Sequence, residues 1–334
     1  MSAAFIMGVC GPELTARERD FIRAARPWGF ILFDRNLSDA KGIRALTGAL
    51  RDVAGHDAPV LIDQEGGRVQ RLRAPLAYEH LPPLDLMEGI AAARRAEVMR
   101  LRYRLIAHEL HGLGVDVNCA PMLDVAGEET HPFLLNRCYG RDAQAVAALG
   151  RVVAEAHLAG GVLPIAKHIP GHGRGTVDSH FGLPVVEASR AELERDFAPF
   201  AALSDIGMAM TAHVVYTALD AERCATLSPV VVRHIREVIG FDGLLMTDDL
   251  SMHALGGSFT DRVAGSLAAG CDIILHCNGD MAEMEEIAAA VPELAGRAAD
   301  RASAALAQRR APEPFDADAA RAELAGIERE VRDA

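Results

Sequence analysis

VLPIAKH (residues 162–168) stays apolar until its last two residues, Lys167 and His168, and runs into the polar, glycine-rich segment IPGHGRGTVDSH (169–180). An apolar run without polar alternation is the pattern of a strand buried on both faces, as in a parallel sheet covered by helices. Seven more runs of this kind appear: AFIMGV (4–9), GFILF (29–33), PVLID (59–63), VDVNCAP (115–121), GMAMTAHVV (207–215), GLLMTDD (243–249) and CDIILHC (271–277). Between them, stretches such as LTARERDFIRAA, RALTGALRDVA, ARRAEVMRLRYRLIAHELHGLG and AQAVAALGRVVAEAHLAGG carry apolar residues at helical spacing and often end at glycine. Eight strand–helix units predict an α/β fold of the (β/α)8 type, with a doubly wound open sheet as the alternative. From about Met281 the chain turns helical and rich in Ala, Glu and Arg. It is interrupted at APEPFDADAA (311–320), where prolines end one helix and an aspartate can cap the next. No repeat or linker divides the 334 residues, so one unit spanning 1–334 is expected.

Composition narrows the function. Half of the residues are hydrophobic, and 47 acidic against 34 basic side chains give a net charge of −13. With no dense Lys/Arg run, this excludes backbone-driven nucleic-acid binding and disfavours anionic membranes. The six cysteines are scattered without a CxxC pair, as reduced thiols would be. No run of eighteen apolar residues and no basic leader occurs, so the expected address is the cytoplasm.

In a parallel barrel, function gathers where strands end. Asp63, Glu65, Arg68 and Arg71 follow the third run around Gly66-Gly67; Asp124 follows the fourth, Lys167 and His168 the fifth, His213 the sixth, and Asp248 and Asp249 the seventh. Charges at five strand ends on one rim are hard to explain by packing. Adjacent acids commonly form a turn or cap, but these close an apolar strand, so one of the two is read as functional. An isolated Arg68 or Arg71 would ordinarily pair with Glu65 or a surface acid. For His213, a core ring bonded to a backbone carbonyl and a functional ring stand level.

The 167–180 segment admits three chemistries. His168 and His172 have the spacing of two metal ligands on a helix, but Pro170-Gly171 breaks any helix between them and no accompanying ligand motif exists, so no metal or other cofactor is expected. Gly171, Gly173 and Gly175 fit neither phosphate-loop pattern, and Pro184 blocks a following helix. These glycines read as hinges or close-approach points of a mobile loop. Asp178 and His180, two apart in an extended stretch, point the same way; a carboxylate beside imidazole sets the tautomer for proton transfer. His172 is expected to order the loop by hydrogen bonding.

DQEGGRVQRL (63–72), KHIPGHGRGTVDSH (167–180), TAHVVY (211–216) and TDDLSM (247–252), in this order, closely resemble the family 3 glycoside hydrolases, in particular their single-domain bacterial β-N-acetylhexosaminidases of peptidoglycan recycling. The resemblance covers about residues 5 to 278 and implies a retaining β-N-acetylglucosaminidase on a (β/α)8 barrel. It further implies Asp248 as nucleophile, His180 as general acid/base with Asp178 as its partner, and Asp63, Arg71, Lys167 and His168 as ligands of the non-reducing N-acetylglucosamine. Arg137 in NRCYG is carried over as another sugar ligand, although EETHPFLLNRCYG departs from the usual wording of that loop. The implied partner is a sugar, an N-acetylglucosamine-containing muropeptide, with no cofactor. The alternatives are another family 3 β-glycosidase, an N-acetylglucosaminide phosphorylase, or a noncatalytic sugar-binding protein.

Overall fold

A computed structural model describes residues 2–177 and 182–333. All eight apolar runs form strands: β1 (Ala3–Gly8), β2 (Pro27–Leu32), β3 (Val60–Ile62), β4 (Val117–Asn118), β5 in two pieces (Leu163–Pro164 and Ala166–Ile169), β6 (Met208–Thr211), β7 (Leu244–Asp249) and β8 (Ile273–His276). Every ladder between them is parallel. The registers run Ile6 to Gly29, Phe30 to Val60, Leu61 to Val117 and Val117 to Leu163 on one side of β1. On the other they run Phe5 to Ile274, Met246 to Ile273, Ala209 to Leu245 and Ala209 to Ala166. The two ends of the ladder series are the two pieces of β5, which a break at Ile165 separates, so the sheet closes on itself. The fold is therefore the barrel and not the open sheet.

Alternation inside each strand divides the core in two. Ala4 and Ile6 of β1, with Ile31, Leu61, Val117, Leu163, Met208, Met246 and Ile273, fill the barrel interior. Phe5 and Met7, with Phe30, Leu32, Val60 and Ile62, face outward under the helices. Both sets are buried, which is why the runs lack polar alternation. Helix starts follow their caps: Thr15 with Glu18, Ser189 with Glu192 and Ser258 with Asp261 form capping boxes, each cap worth about 1 kcal/mol. The expected tail is helical at Met281–Ala290, Gly296–Leu306 and Ala317–Asp333, and Asp316 caps the last by accepting the Ala319 N–H at 3.0 Å. Among the described residues, no helix is long and apolar enough to cross a membrane.

Candidate active site

The ends of four strands, and the loops that follow them, carry the site. After β3 the chain makes a small antiparallel hairpin, Gln64–Gly66 against Val69–Gln70. Gly66 (φ +100°) and Gly67 (φ +62°) turn it in the left-handed region that a side chain resists. Asn118 of β4 clasps the hairpin from both sides, accepting the Gln64 N–H and donating to the Gln64 carbonyl, each at 2.9 Å. Asp63 and Glu65, two apart, thereby reach the same neighbours.

Those neighbours are cations. Lys167, nearly fully buried, donates to Asp63 Oδ1 at 2.7 Å and lies 2.6 Å from Glu65 Oε1. Arg137 grips Glu65 with both arms of its guanidinium, Nε to Oε2 at 2.9 Å and Nη2 to Oε1 at 2.8 Å. Arg71 Nη2 meets Asp63 Oδ2 at 3.5 Å. Burial would raise both acids, but the Arg137 and Lys167 charges hold the Glu65 pKa down at about 2. Lys167 and Arg71 likewise hold Asp63 well below the usual carboxylate range against its burial. Burial would discharge Lys167, and Asp63 and Glu65 reverse that and raise its pKa. The cluster is ionised at neutral pH, which gives strong acceptors and donors for hydroxyl groups.

His168 is steered by Asp124, which accepts its Nδ1–H at 2.7 Å and its backbone N–H at 3.3 Å. The same buried carboxylate accepts the His172 backbone N–H at 2.5 Å. His172 therefore orders the loop as expected, but through its backbone; neither ring nitrogen has a partner among the described residues, and burial pushes the ring down to about 4. Of the two readings of the glycines, hinges or close-approach points, the second holds at Gly173. Residues 171–175 are pinned and not hinged: the carbonyls of Gly171, Gly173 and Gly175 accept from Tyr216 Oη, Thr130 Oγ1 and the His131 N–H at 2.7, 2.5 and 3.2 Å. A Cβ on Gly173 would lie 1.9 Å from the Val125 carbonyl oxygen, so close approach is what demands glycine there. Asp178 and His180 lie outside the described residues.

The two acids at the end of β7 divide their labour. Asp249 is consumed by structure: Oδ1 accepts from the Ser251 and Cys277 N–H groups at 3.0 and 3.1 Å and Oδ2 from the Ser251 hydroxyl at 2.7 Å. Asp248 accepts only the Asp249 N–H, at 2.8 Å on Oδ1, among the described residues. Burial would raise it, yet the His213 and His168 rings, that N–H and Lys167 bring its pKa below the ordinary value. Arg71 serves Asp63 and not Asp248. His213 takes the core role: buried, its Nε2–H donates to the Asp249 carbonyl at 3.0 Å and its Nδ1 meets the Thr226 hydroxyl at 2.7 Å.

Asp63, Arg71, Arg137, Lys167, His168 and Asp248 line one cavity of about 200 Å³ with Arg68, Met210 and Phe133. This is less than the roughly 300 to 1,000 Å³ of pockets for drug-sized ligands and suits a single sugar unit. Arg68 stays at the mouth and does not pair with Glu65. The residues without an assigned role that matter most are Glu65 and Asp124. The spacing of two between Asp63 and Glu65 was the available signal for the first; only the chain crossing from β4 to β5 reveals the second. Among the described residues, no three His, Cys, Asp or Glu side chains converge as a metal site requires.

Residues 8–308 match the glycosyl hydrolase family 3 N-terminal domain. A β-hexosaminidase of Chromobacterium violaceum is 34% identical over 281 residues, 82% of this chain and 78% of that protein. One from Methylococcus capsulatus is 37% identical over 278 residues, 80% of each chain. In structure, native NagZ from Neisseria gonorrhoeae superposes with a TM-score of 0.85 at 28% identity, covering 98% of both chains. The family 3 β-N-acetylglucosaminidase from Paenibacillus sp. FPU-7 gives 0.87 at 28% identity, covering 98% of this chain and 67% of that one.

Proposed function

Because the chain belongs to glycosyl hydrolase family 3, we propose that it is a retaining exo-β-N-acetylglucosaminidase with Asp248 as nucleophile. The observation that carries this is the state of Asp248: ionised, on the cavity wall, with one oxygen uncommitted among the described residues while its neighbour Asp249 is fully engaged. The Asp63, Lys167, Glu65 and Arg137 cluster, with Arg71 and His168, grips the hydroxyls of the terminal sugar. Asp248 attacks C1 as the glycosidic bond breaks, and the imidazolium of His180, partnered by Asp178, gives its proton to the departing oxygen. Water then attacks C1 of the glycosyl-enzyme, returns a proton to His180 and releases Asp248, so two inversions give net retention. Muropeptides bearing N-acetylglucosamine, processed in the cytoplasm during cell-wall recycling, are the proposed substrates, with the whole chain as one catalytic unit.

The test is hydrolysis of matched aryl β-N-acetylglucosaminide and β-glucoside, with and without phosphate, reading the first-formed anomer by NMR. Release of β-N-acetylglucosamine from the first substrate alone supports the proposal. A first-formed α-anomer rules out retention, a glucoside preference rules out the substrate, and a sugar phosphate makes the enzyme a phosphorylase. His180→Ala should damage turnover of poor leaving groups more than of activated ones; equal losses remove it from the acid role.

A further inference from the structure

Behind the sugar-facing cluster lies a second set of buried polar groups that the proposed chemistry does not use. Arg102, on helix Arg95–His111, is fully buried. Its Nη2 donates to the Glu65 carbonyl at 2.7 Å, and the Tyr103 hydroxyl approaches the same oxygen at 3.3 Å. The guanidinium occupies the space over Gly66, where an added Cβ would lie 1.8 Å from Nη2. Its Nε and Nη1 have no partner among the described residues.

A second buried charge behind the hairpin comes from the end of the chain, where Arg332 Nη2 lies 3.5 Å from Glu328 Oε2. Glu328, on helix Ala317–Asp333, is fully buried too. It accepts from the Tyr78 hydroxyl at 3.2 Å and the Leu81 N–H at 3.1 Å, and lies 3.5 Å from His80 Nδ1. His80 and Arg102 hold its carboxyl below the ordinary value against burial. The segment it organises backs the β3 hairpin: the Gly67 N–H donates to the His80 carbonyl at 3.0 Å and the His80 N–H to Gln70 at 3.2 Å. A buried guanidinium costs several kcal/mol unless compensated, and here the compensation ends on the backbone of Glu65, whose carboxylate must reach two cations. A displacement near 1 Å in such a site can cost about 100-fold in rate.

We propose that Arg102, on the Glu65 carbonyl, and Glu328, on the 78–81 segment behind the same hairpin, are positioning residues that fix Glu65 and, through it, the Lys167 and Arg137 groups that meet the bound sugar. The last helix, which lies beyond the 8–308 family match, is thereby part of the working site. This rests on the proposed reading that Lys167 and Arg137 contact the sugar.

The experiment compares Arg102→Met, Arg102→Lys and Glu328→Gln with Leu324→Ala, a packing control on the same helix. Each is assayed well below its melting temperature for kcat and KM on an aryl β-N-acetylglucosaminide and for inhibition by free N-acetylglucosamine. Arg102→Met should raise KM and the inhibition constant together by about tenfold or more, Glu328→Gln severalfold in the same direction, and Arg102→Lys should recover part of the loss. Leu324→Ala should melt earlier with a wild-type KM. A crystal structure of Arg102→Met should show the Glu65 carboxylate moved off Lys167; if that variant does not fold, Arg102→Lys and Glu328→Gln carry the same measurements. A folded Arg102→Met with wild-type constants, an unmoved Glu65, or an equal KM rise in Leu324→Ala overturns the proposal. A wild type that never releases N-acetylglucosamine overturns the proposed substrate instead, and the position of Glu65 still decides this one.

Discussion

The two ends of the barrel are both ringed with charge, and they use it differently. At the N-terminal ends of the strands four carboxylates have two arginines each: Asp242 with Arg297 and Arg301 at 2.9 and 2.5 Å, Asp272 with Arg301 and Arg236 at 2.9 and 2.6 Å. Asp116 likewise holds Arg51 and Arg309 at 3.0 and 2.7 Å, and Asp57 holds the same two at 3.2 and 2.9 Å. These pairs tie the C-terminal segment to strand ends and close on themselves. At the other rim Asp63 and Glu65 are paired just as fully, and Asp248 is left without an ion pair among the described residues. Saturated charge holds parts together; an acid left unsaturated beside saturated ones is available for chemistry.

The sharpest way to break this contrast is at the paired acids of β7. Asp248→Ala should lower turnover by roughly 10⁴-fold or more with little change in melting temperature, whereas Asp249→Ala should chiefly destabilise, because three donors lose their acceptor. Comparable activity in Asp248→Ala and wild type would end the nucleophile assignment. Lys167→Met leaves the buried Glu65 and the half-buried Asp63 short of a cation, so it should both abolish sugar binding and cost about 3 kcal/mol, read from the urea midpoint; an unchanged midpoint contradicts the buried pairing.

Acid should unfold the protein in two windows. Burial pushes His80, His157 and His172 down to about 4, while the unfolded chain titrates near 6.5. Between those values the unfolded state binds more protons, so stability falls as pH drops, by up to about 1.4 kcal/mol per unit for each ring. Glu65, held at about 2, contributes stability that is complete above roughly pH 4.3 and lost as pH falls towards its folded value. Urea midpoints that stay flat from pH 6.5 to 4.5 would contradict the first window. The smallest effect is expected at the N-terminal rim: Arg301→Met should cost about 1–2 kcal/mol and leave kcat/KM unchanged, and a fall in kcat/KM would show that the two rims are coupled.

Much of this was legible in the residues. Eight unalternating apolar runs demand strands buried on both sides, and strand ends that turn abruptly polar mark the working rim; both follow from local pattern and need no knowledge of partners. The spacing of two between Asp63 and Glu65 puts both on one side of a strand. The chain order does not say that Glu65 meets Arg137, 72 residues away, or that Asp124 holds His168 across 44. Nor does it say which of Asp248 and Asp249 keeps a free oxygen, since adjacent identical side chains differ only in what surrounds them. The glycines of residues 171–175 read as hinges or as close-approach points, because glycine permits both motion and close packing, and only the Val125 carbonyl pressed against Gly173 tells the two apart. The fold class was thus set by periodicity, a property of each segment alone. The state of each charged group was decided by the closed barrel, because burial and ion pairing depend on segments far apart in the chain.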